Sequence, residues 1–235
     1  MTAKTDVQSE ARTPLNRERV LQAAVDLADR SGIAAVTMRG VAADVGVEAM
    51  SLYNHVDNKE DVLDGMIDLV MVELLEVVDV HDKESSGQGW KPSMRKRILG
   101  ARSVMLRHPW APSVFETRTN MSPNILKYFD DLFGVFRNGG FSLDLAHHAM
   151  HALGSRALGF SQELFVQEDD DDVDPEMAAM MMQQMAKNYP NIGALLELEI
   201  HKDPDSTLGW CDDQTEFEFA LDLLLDGLDR QRDDA

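Results

Sequence analysis

Seven polar side chains crowd into residues 37–59, TMRGVAADVGVEAMSLYNHVDNK: Thr37, Arg39, Ser51, Tyr53, Asn54, His55 and Lys59. These types suit contact with double-stranded nucleic acid. A guanidinium such as that of Arg39 forks onto guanine O6 and N7. Hydroxyls and the Lys59 ammonium bind phosphate and set register without reading sequence. Ala49 and Met50, lying among them, can meet thymine methyl groups. The chain offers no comparable material for catalysis. It has no Gly-x-Ser-x-Gly, no glycine-rich phosphate loop, no His-Glu-x-x-His and no Glu-x-x-His. It is therefore read as a non-enzyme, and no cofactor is implied.

The elements that must carry these residues follow from periodicity. Thr37 is placed to accept from the free N–H groups of a helix start. Val41, Ala42 and Val45 form an apolar stripe, and Gly46 follows where a left-handed stop costs least. A second helix is expected to contain Met50, Leu52, Tyr53 and Val56, with Leu52 and Val56 inward. Asn58 begins a third. Upstream, residues 16–30 repeat the helical period through Val20, Ala24, Leu27 and Ala28, and Gly32 ends that run. Helix–glycine–helix with an exposed polar face is the pattern of a helix-turn-helix. Periodicity alone also allows a small three-helix domain with no DNA role.

Sequence detail goes further. The opening helix ending in Asp-Arg-Ser-Gly, then Val-Thr-Met-Arg-Gly-Val-Ala, Val-Gly-Val, Ser-Leu-Tyr-Asn-His-Val and Asn-Lys-Glu-Asp-Val-Leu resemble the DNA-binding domain of the tetracycline-repressor (TetR) family. The resemblance implies an all-helical homodimer that binds a palindromic operator. It implies a ligand-responsive regulator, by family default a repressor. Thr37, Arg39, Ser51, Tyr53, His55 and Lys59 match operator-contact positions, with Ala49, Met50 and Asn54 beside them. Asn54 stands where the tetracycline repressors carry Trp. The competing reading is a helical small-molecule-binding protein without DNA affinity.

The expected organisation is a disordered arm at 1–13, the helix-turn-helix domain at 14–60, and an effector-binding and dimerisation domain at 61–235. A linker helix, 58–80, joins the two. Residues 81–90 read as a polar linker. Helices are expected over 91–107 (with Arg95, Lys96 and Arg102 outward), 122–137, from a Ser142 cap to about 165, 175–188 and 213–231. The closing helix repeats Phe217, Leu221, Leu224 and Leu228 on one side, and Ala220, Leu223 and Leu225 widen the apolar surface. So broad a surface asks for more than one partner. The four named residues are therefore assigned to dimerisation, the alternative being closure of the monomer core.

Segments 114–118, 139–144, 157–159 and the closing helix resemble the C-terminal domain of the tetracycline repressors, which hold their drug as a magnesium chelate. Matched by position, the metal-binding His becomes Phe115, a drug-contacting His becomes Leu75, and an Asn becomes Arg97. The acidic partner survives as Glu163. Magnesium requires oxygen-rich, near-octahedral coordination, and Phe115 donates nothing. The expected effector is a small molecule other than magnesium–tetracycline. It would lie in a largely hydrophobic site formed by Leu75, Ala101, Phe115, Leu132 and Met150, with Arg97, His147 and His151 as polar contacts. Arg97 pointing to solvent is the alternative. His147, His148 and His151 read as packing or pocket lining rather than a metal site, and the methionines of 177–185 as a soft helix face.

The chain carries a formal charge of −20 at pH 7. Residues 1–60 hold seven Lys/Arg against nine Asp/Glu, so almost all of the excess lies in the body. Non-specific attraction to DNA should be weak. The single cysteine, Cys211, permits no intrachain disulfide and suits a reducing cytoplasm. No run of eighteen apolar residues suggests a membrane span.

Overall fold

The computed structural model describes residues 14–84, 87, 89–158, 180, 183–184, 186–196 and 213–233. Among them the regular structure is entirely helical. Packing divides the chain after Asn138. The first unit holds α1 (Arg17–Ser31), a 3-10 turn (Ile33–Ala35), α2 (Met38–Val45), α3 (Ala49–Leu52), α4 (Lys59–Glu84), α5 (Trp90–Arg107), α6 (Ala111–Phe115) and α7 (Pro123–Asn138). The second holds α8 (Leu143–Leu158), α9 (Pro190–Leu196) and α10 (Asp213–Asp233). Residues 1–13, Glu163, the acidic run 168–174 and Met177, Met181, Met182 and Met185 lie outside the described residues.

Local chemistry sets the boundaries. Asn16 Oδ1 accepts the Arg19 N–H at 2.8 Å and caps α1. Thr37 Oγ1 accepts the Gly40 N–H at 2.9 Å and caps α2. Gly46, at φ 72°, stops α2 in the left-handed conformation, as its place in the sequence predicts. The second helix is shorter than expected. α3 ends at Leu52, and the chain leaves it through tighter turns in which the His55 and Val56 N–H groups both donate to the Leu52 carbonyl, at 2.8 and 3.0 Å. Tyr53 and Val56 therefore follow the helix rather than lie within it. Conversely, α4 continues to Glu84, past the expected end at Val80, because the polar residues 81–84 remain compatible with helix.

Helices α1 and α4 run side by side in the same direction, and their contacts keep a constant sequence offset of 44 residues. Arg17 donates to both Asp61 oxygens at 2.6 and 2.7 Å. Four residues on, Leu21 packs over Gly65, where an added Cβ would lie 2.6 Å from both Leu21 methyls. Glycine at 65 leaves the space that the Leu21 side chain fills. Around this seam a core continues through Val20, Val25, Leu52, Met66, Val70, Val78, Val104, Trp110 and Ile125. It runs from the helix-turn-helix into α4–α7 without a break, so packing shows no boundary at residue 60.

In α5 the stripe Met94, Ile98, Ala101 and Val104 is buried as expected. Arg102, expected outward, is only 8 % exposed. Trp90 joins the helix as its first residue and lies against Phe136, ring centroids 6.2 Å apart. In the second unit α8 and α10 pack together. Ala146, Ala149 and Leu153 are buried on α8, and Phe217, Leu221 and Leu225 on α10. Ser142 Oγ accepts the Leu145 N–H at 3.2 Å, the expected cap. The helix α9 was not expected from periodicity; at 7 residues it is too short to show one.

Two stability outcomes follow. A Cβ on Gly40 would meet the Ala35 carbonyl oxygen at 2.5 Å, whereas one on Gly134 would meet nothing within 4 Å. Gly40→Ala should destabilise by about 1–3 kcal/mol. Gly134→Ala, inside α7, should stabilise by roughly 0.5–1 kcal/mol. Urea denaturation distinguishes them. Separately, hydrogen bonding from Arg17 holds the Asp61 carboxyl below its ordinary range. A depressed carboxyl stabilises above its unfolded pKa and loses that contribution as pH falls through the folded value. Asp61→Asn should therefore cost up to about 1 kcal/mol at pH 7, since the pair is partly exposed. The difference from wild type should close below about pH 4, as urea midpoints measured across pH would show.

Candidate nucleic-acid interface and effector site

The expected operator face is accessible. Thr37, Arg39, Asn54 and Lys59 are exposed, while Ala49, Ser51 and His55 are half-buried. Met50 and Tyr53 are 75 % and 46 % exposed. Leu52 and Val56 are buried, as expected, and fix α3 from beneath. A methionine that exposed gains nothing from the fold and is available for contact. Arg17 Nη1 also donates to the His55 carbonyl at 3.3 Å, so the exit from α3 is tied to the start of α1.

Electrostatics narrow the set of useful cations. Arg17 is committed to Asp61, and Arg30 Nη2 to Asp44 at 2.6 Å. Arg39 and Lys59 form no ion pair with the described residues. They are exposed and at opposite ends of the helix-turn-helix, one in the first turn of α2 and the other in the first turn of α4.

The expected effector residues fall in both units. In the first, Leu75 on α4, Ala101 on α5 and Leu132 on α7 are buried, and Phe115 on α6 is half-buried. These four helices pack on one another. Arg97 is 1 % exposed, so it faces inward and not toward solvent. Burial raises the Tyr128 phenol above its ordinary range, and the nearby Arg97 charge opposes that rise. Arg97 therefore acts on α7 from inside the helical layer. In the second unit Met150 is half-buried, and His147 and His151 are exposed with ring centroids 4.6 Å apart. His148 lies 3.7 Å from Asp144 at the surface. Among the described residues no three His, Cys, Asp or Glu side chains gather as a metal site.

The closing helix divides its apolar residues differently from the sequence reading. Phe217 and Leu221, assigned to dimerisation, are buried within the chain's own second unit. Leu224 and Leu228 are half-buried, and the outward apolar residues are Phe219 and Leu223, 62 % and 57 % exposed. Periodicity found the helix but assigned the inner face to the partner.

Sequence reasoning also missed a polar corner at the α5–α6 junction. His108 Nδ1 lies 2.9 Å from Asp29 Oδ1 on α1, and His108 Nε2 lies 2.9 Å from Glu73 Oε2 on α4. Both contacts are hydrogen bonds when each ring nitrogen carries its proton. Trp110 Nε1 donates to Asp29 Oδ1 at 2.6 Å, and Arg107 Nε donates to Glu73 Oε1 at 2.8 Å. Burial pushes the Glu73 carboxyl up, but donors from His108 and Arg107 outweigh it and hold it below the usual range. Farther along, Arg118 Nη1 donates to Glu60 Oε2 at 2.6 Å, and Asn124 Nδ2 to Asp68 Oδ1 at 3.0 Å, again on α4. No local motif announces these contacts. The one available signal was the placement of Asp29 and Glu73 44 residues apart, matching Arg17 and Asp61.

Residues 20–66 match the model of the tetR family of bacterial regulatory proteins, and residues 85–232 that of the tetracyclin repressor-like C-terminal domain. An HTH-type transcriptional regulator of Saccharopolyspora erythraea is 33% identical over 138 residues, 59% of this chain and 56% of that protein. The chain thus spans little more than half the length of that relative. The HTH-type transcriptional repressor DrrR1 of Streptomyces coeruleorubidus is 26% identical over 92% of this chain and 77% of its own. A solved structure, a possible TetR family transcriptional regulator from Streptomyces coelicolor A3(2), superposes with a TM-score of 0.68 at 27% identity, covering 91% of this chain and 98% of that one. With both halves matched and the helix-turn-helix frame in place, the chain belongs to the tetR family of bacterial regulatory proteins, with a tetracycline-repressor-like C-terminal domain.

Proposed function

We propose that the protein is a ligand-responsive transcriptional repressor that binds a palindromic operator as a homodimer. The observation that carries this reading is the exposed face of the helix-turn-helix, where among the described residues Arg39 and Lys59 are left unpaired while Arg17 and Arg30 are held by Asp61 and Asp44. Arg39 reads a guanine edge, while Thr37, Ser51, Tyr53, His55 and Lys59 hold phosphates. Ala49, Met50 and Asn54 complete the base-facing surface. Leu223 and Phe219, with Leu224 and Leu228, are the natural dimer contacts on α10, since they are the part of its apolar surface that the monomer leaves open. The helix-turn-helix is the DNA-binding part and residues 61–235 the effector and dimer part, with α4 as the link.

The effector is a largely hydrophobic small molecule bound in the first unit among Leu75, Ala101, Phe115 and Leu132. Arg97 supplies a buried positive charge there. Phe115 supports an effector other than magnesium–tetracycline, because a phenyl ring cannot ligate a hard cation. Control requires that the effector bind the operator-competent and released states unequally.

Gel shifts with the promoter region beside its own gene test the DNA reading; no shift at low salt with any fragment sinks it. Arg39→Ala should cost about 1–3 kcal/mol of operator affinity and relax base preference at one position in each half-site. The two unpaired cations among the described residues of each head should contribute a salt slope of about −4 for the two heads together. In thermal-shift assays tetracycline with magnesium should leave the melting temperature unchanged. Matched carboxylate and neutral hydrophobic ligands should differ in affinity, the carboxylate binding more tightly; equal affinities count against the Arg97 anchor.

A further inference from the structure

We propose that His108 is a positioning residue for operator reading: by bridging Asp29 on α1 to Glu73 on α4, it fixes the direction of the DNA-binding head on the linker helix and so the half-site spacing that the dimer accepts. The inference rests on the homodimeric DNA-binding reading and adds a residue and a role to it.

Three contacts tie α1 to α4, all with the same 44-residue offset. The first is the Arg17–Asp61 pair at the start of both helices. The second is the seating of Leu21 over Gly65. The third lies eight residues farther along each helix, roughly 12 Å at 1.5 Å per residue. There Asp29 and Glu73 are both carboxylates. Their charges repel, so this end of the seam would open unless a donor stood between them. His108 is that donor. It is 8 % exposed, and its two ring nitrogens meet the two carboxylates at 2.9 Å each. Trp110 adds a donor to Asp29 and Arg107 a donor to Glu73, so the corner between α5 and α6 closes the far end of the seam.

This third contact differs in kind from the other two. Arg17–Asp61 and Leu21–Gly65 are direct contacts between α1 and α4 and lie within one turn of each other. Between and beyond them Val20, Ala24 and Ala28 of α1 share a buried core with α4, but apolar packing is non-directional. The His108 bridge, a lever arm away, adds a directional polar tie through the corner between α5 and α6. The angle of α1 on α4 sets where α3 is presented. For this motif class two heads must meet grooves about 34–36 Å apart, so a fixed angle is equivalent to a preferred spacing.

The test uses the full-length chain and a palindrome that it selects from a random duplex pool. One base pair is then inserted at, or removed from, the centre. Wild type should lose about tenfold or more in affinity on either change. His108→Phe, which keeps a buried ring but bridges nothing, should bind all three duplexes within about threefold of one another. A simple loss of stability would weaken all three equally and keep the preference. If His108→Phe keeps the wild-type spacing preference, the proposal is overturned. If the pool yields no palindrome, the DNA-binding reading falls and takes this one with it. A DNA-independent measurement covers poor folding of His108→Phe. Asp29→Asn and Glu73→Gln, both partly exposed and isosteric, should shift the urea midpoint non-additively when combined. Additive shifts would show that no bridge couples them and would overturn the proposal.

Discussion

The position of the head depends on how α1 lies against α4, along a seam where Arg17 meets Asp61, Leu21 seats over Gly65 and His108 bridges Asp29 to Glu73. At Gly65 there is no Cβ to hold Leu21 away. An added Cβ there would meet the Leu21 methyls, the end of a flexible side chain that must turn aside to admit it. The recognition turn has little support of its own. α3 is 4 residues long, far below what an isolated helix needs to persist. It holds because Leu52 and Val56 are sunk in a core whose walls are α1, α2 and α4. The seam between α1 and α4 therefore stabilises the reading face without contributing to it.

Much of this was legible in the residues. Thr37, Gly46 and the Val41–Ala42–Val45 stripe specify α2 and its turn through capping, φ preference and periodicity, all of which are local. The same rules located α1, α5, α7, α8 and α10. They failed where the deciding partner was distant. Tyr53 and His55 look helical by spacing, yet the carbonyl of Leu52 takes two N–H groups and ends the helix early. Arg102 belongs to a basic run whose spacing points it outward, yet it is buried. Phe217 and Leu221 were assigned to a partner chain because periodicity cannot say which of two partners covers a broad apolar face; α8 of the same chain does. The His108 corner joins residues 79 and 35 positions apart, beyond any local signal.

The charge distribution is less paradoxical in the fold than in the sequence. A chain with a formal charge of −20 looks ill-suited to a polyanion. In the fold, however, the head carries nearly balanced charge, and its acidic residues serve mainly as internal partners. Asp61 takes Arg17, Asp44 takes Arg30, and Asp29 takes His108 and Trp110. These pairs define geometry at the expense of bulk positive potential. Counterion release, the usual source of affinity for DNA, is left to a few exposed groups.

That arrangement shifts the burden from attraction to fit. A head with many free cations binds any duplex and tolerates misalignment, because phosphates are everywhere. A head whose described residues leave Arg39 and Lys59 as unpaired cations gains little from a misplaced encounter, and an acidic body repels the rest of the duplex. On the proposed reading, such a protein binds well only when the exposed surface from Ala49 to Asn54 is correctly presented. Precise presentation then becomes a requirement. It explains why the α1–α4 seam is reinforced at both ends by charge-assisted hydrogen bonds, which are directional, rather than by apolar contact alone, which is not. The same economy would give the proposed control its leverage: where affinity rests on alignment, a small change in the direction of α4 removes most of it.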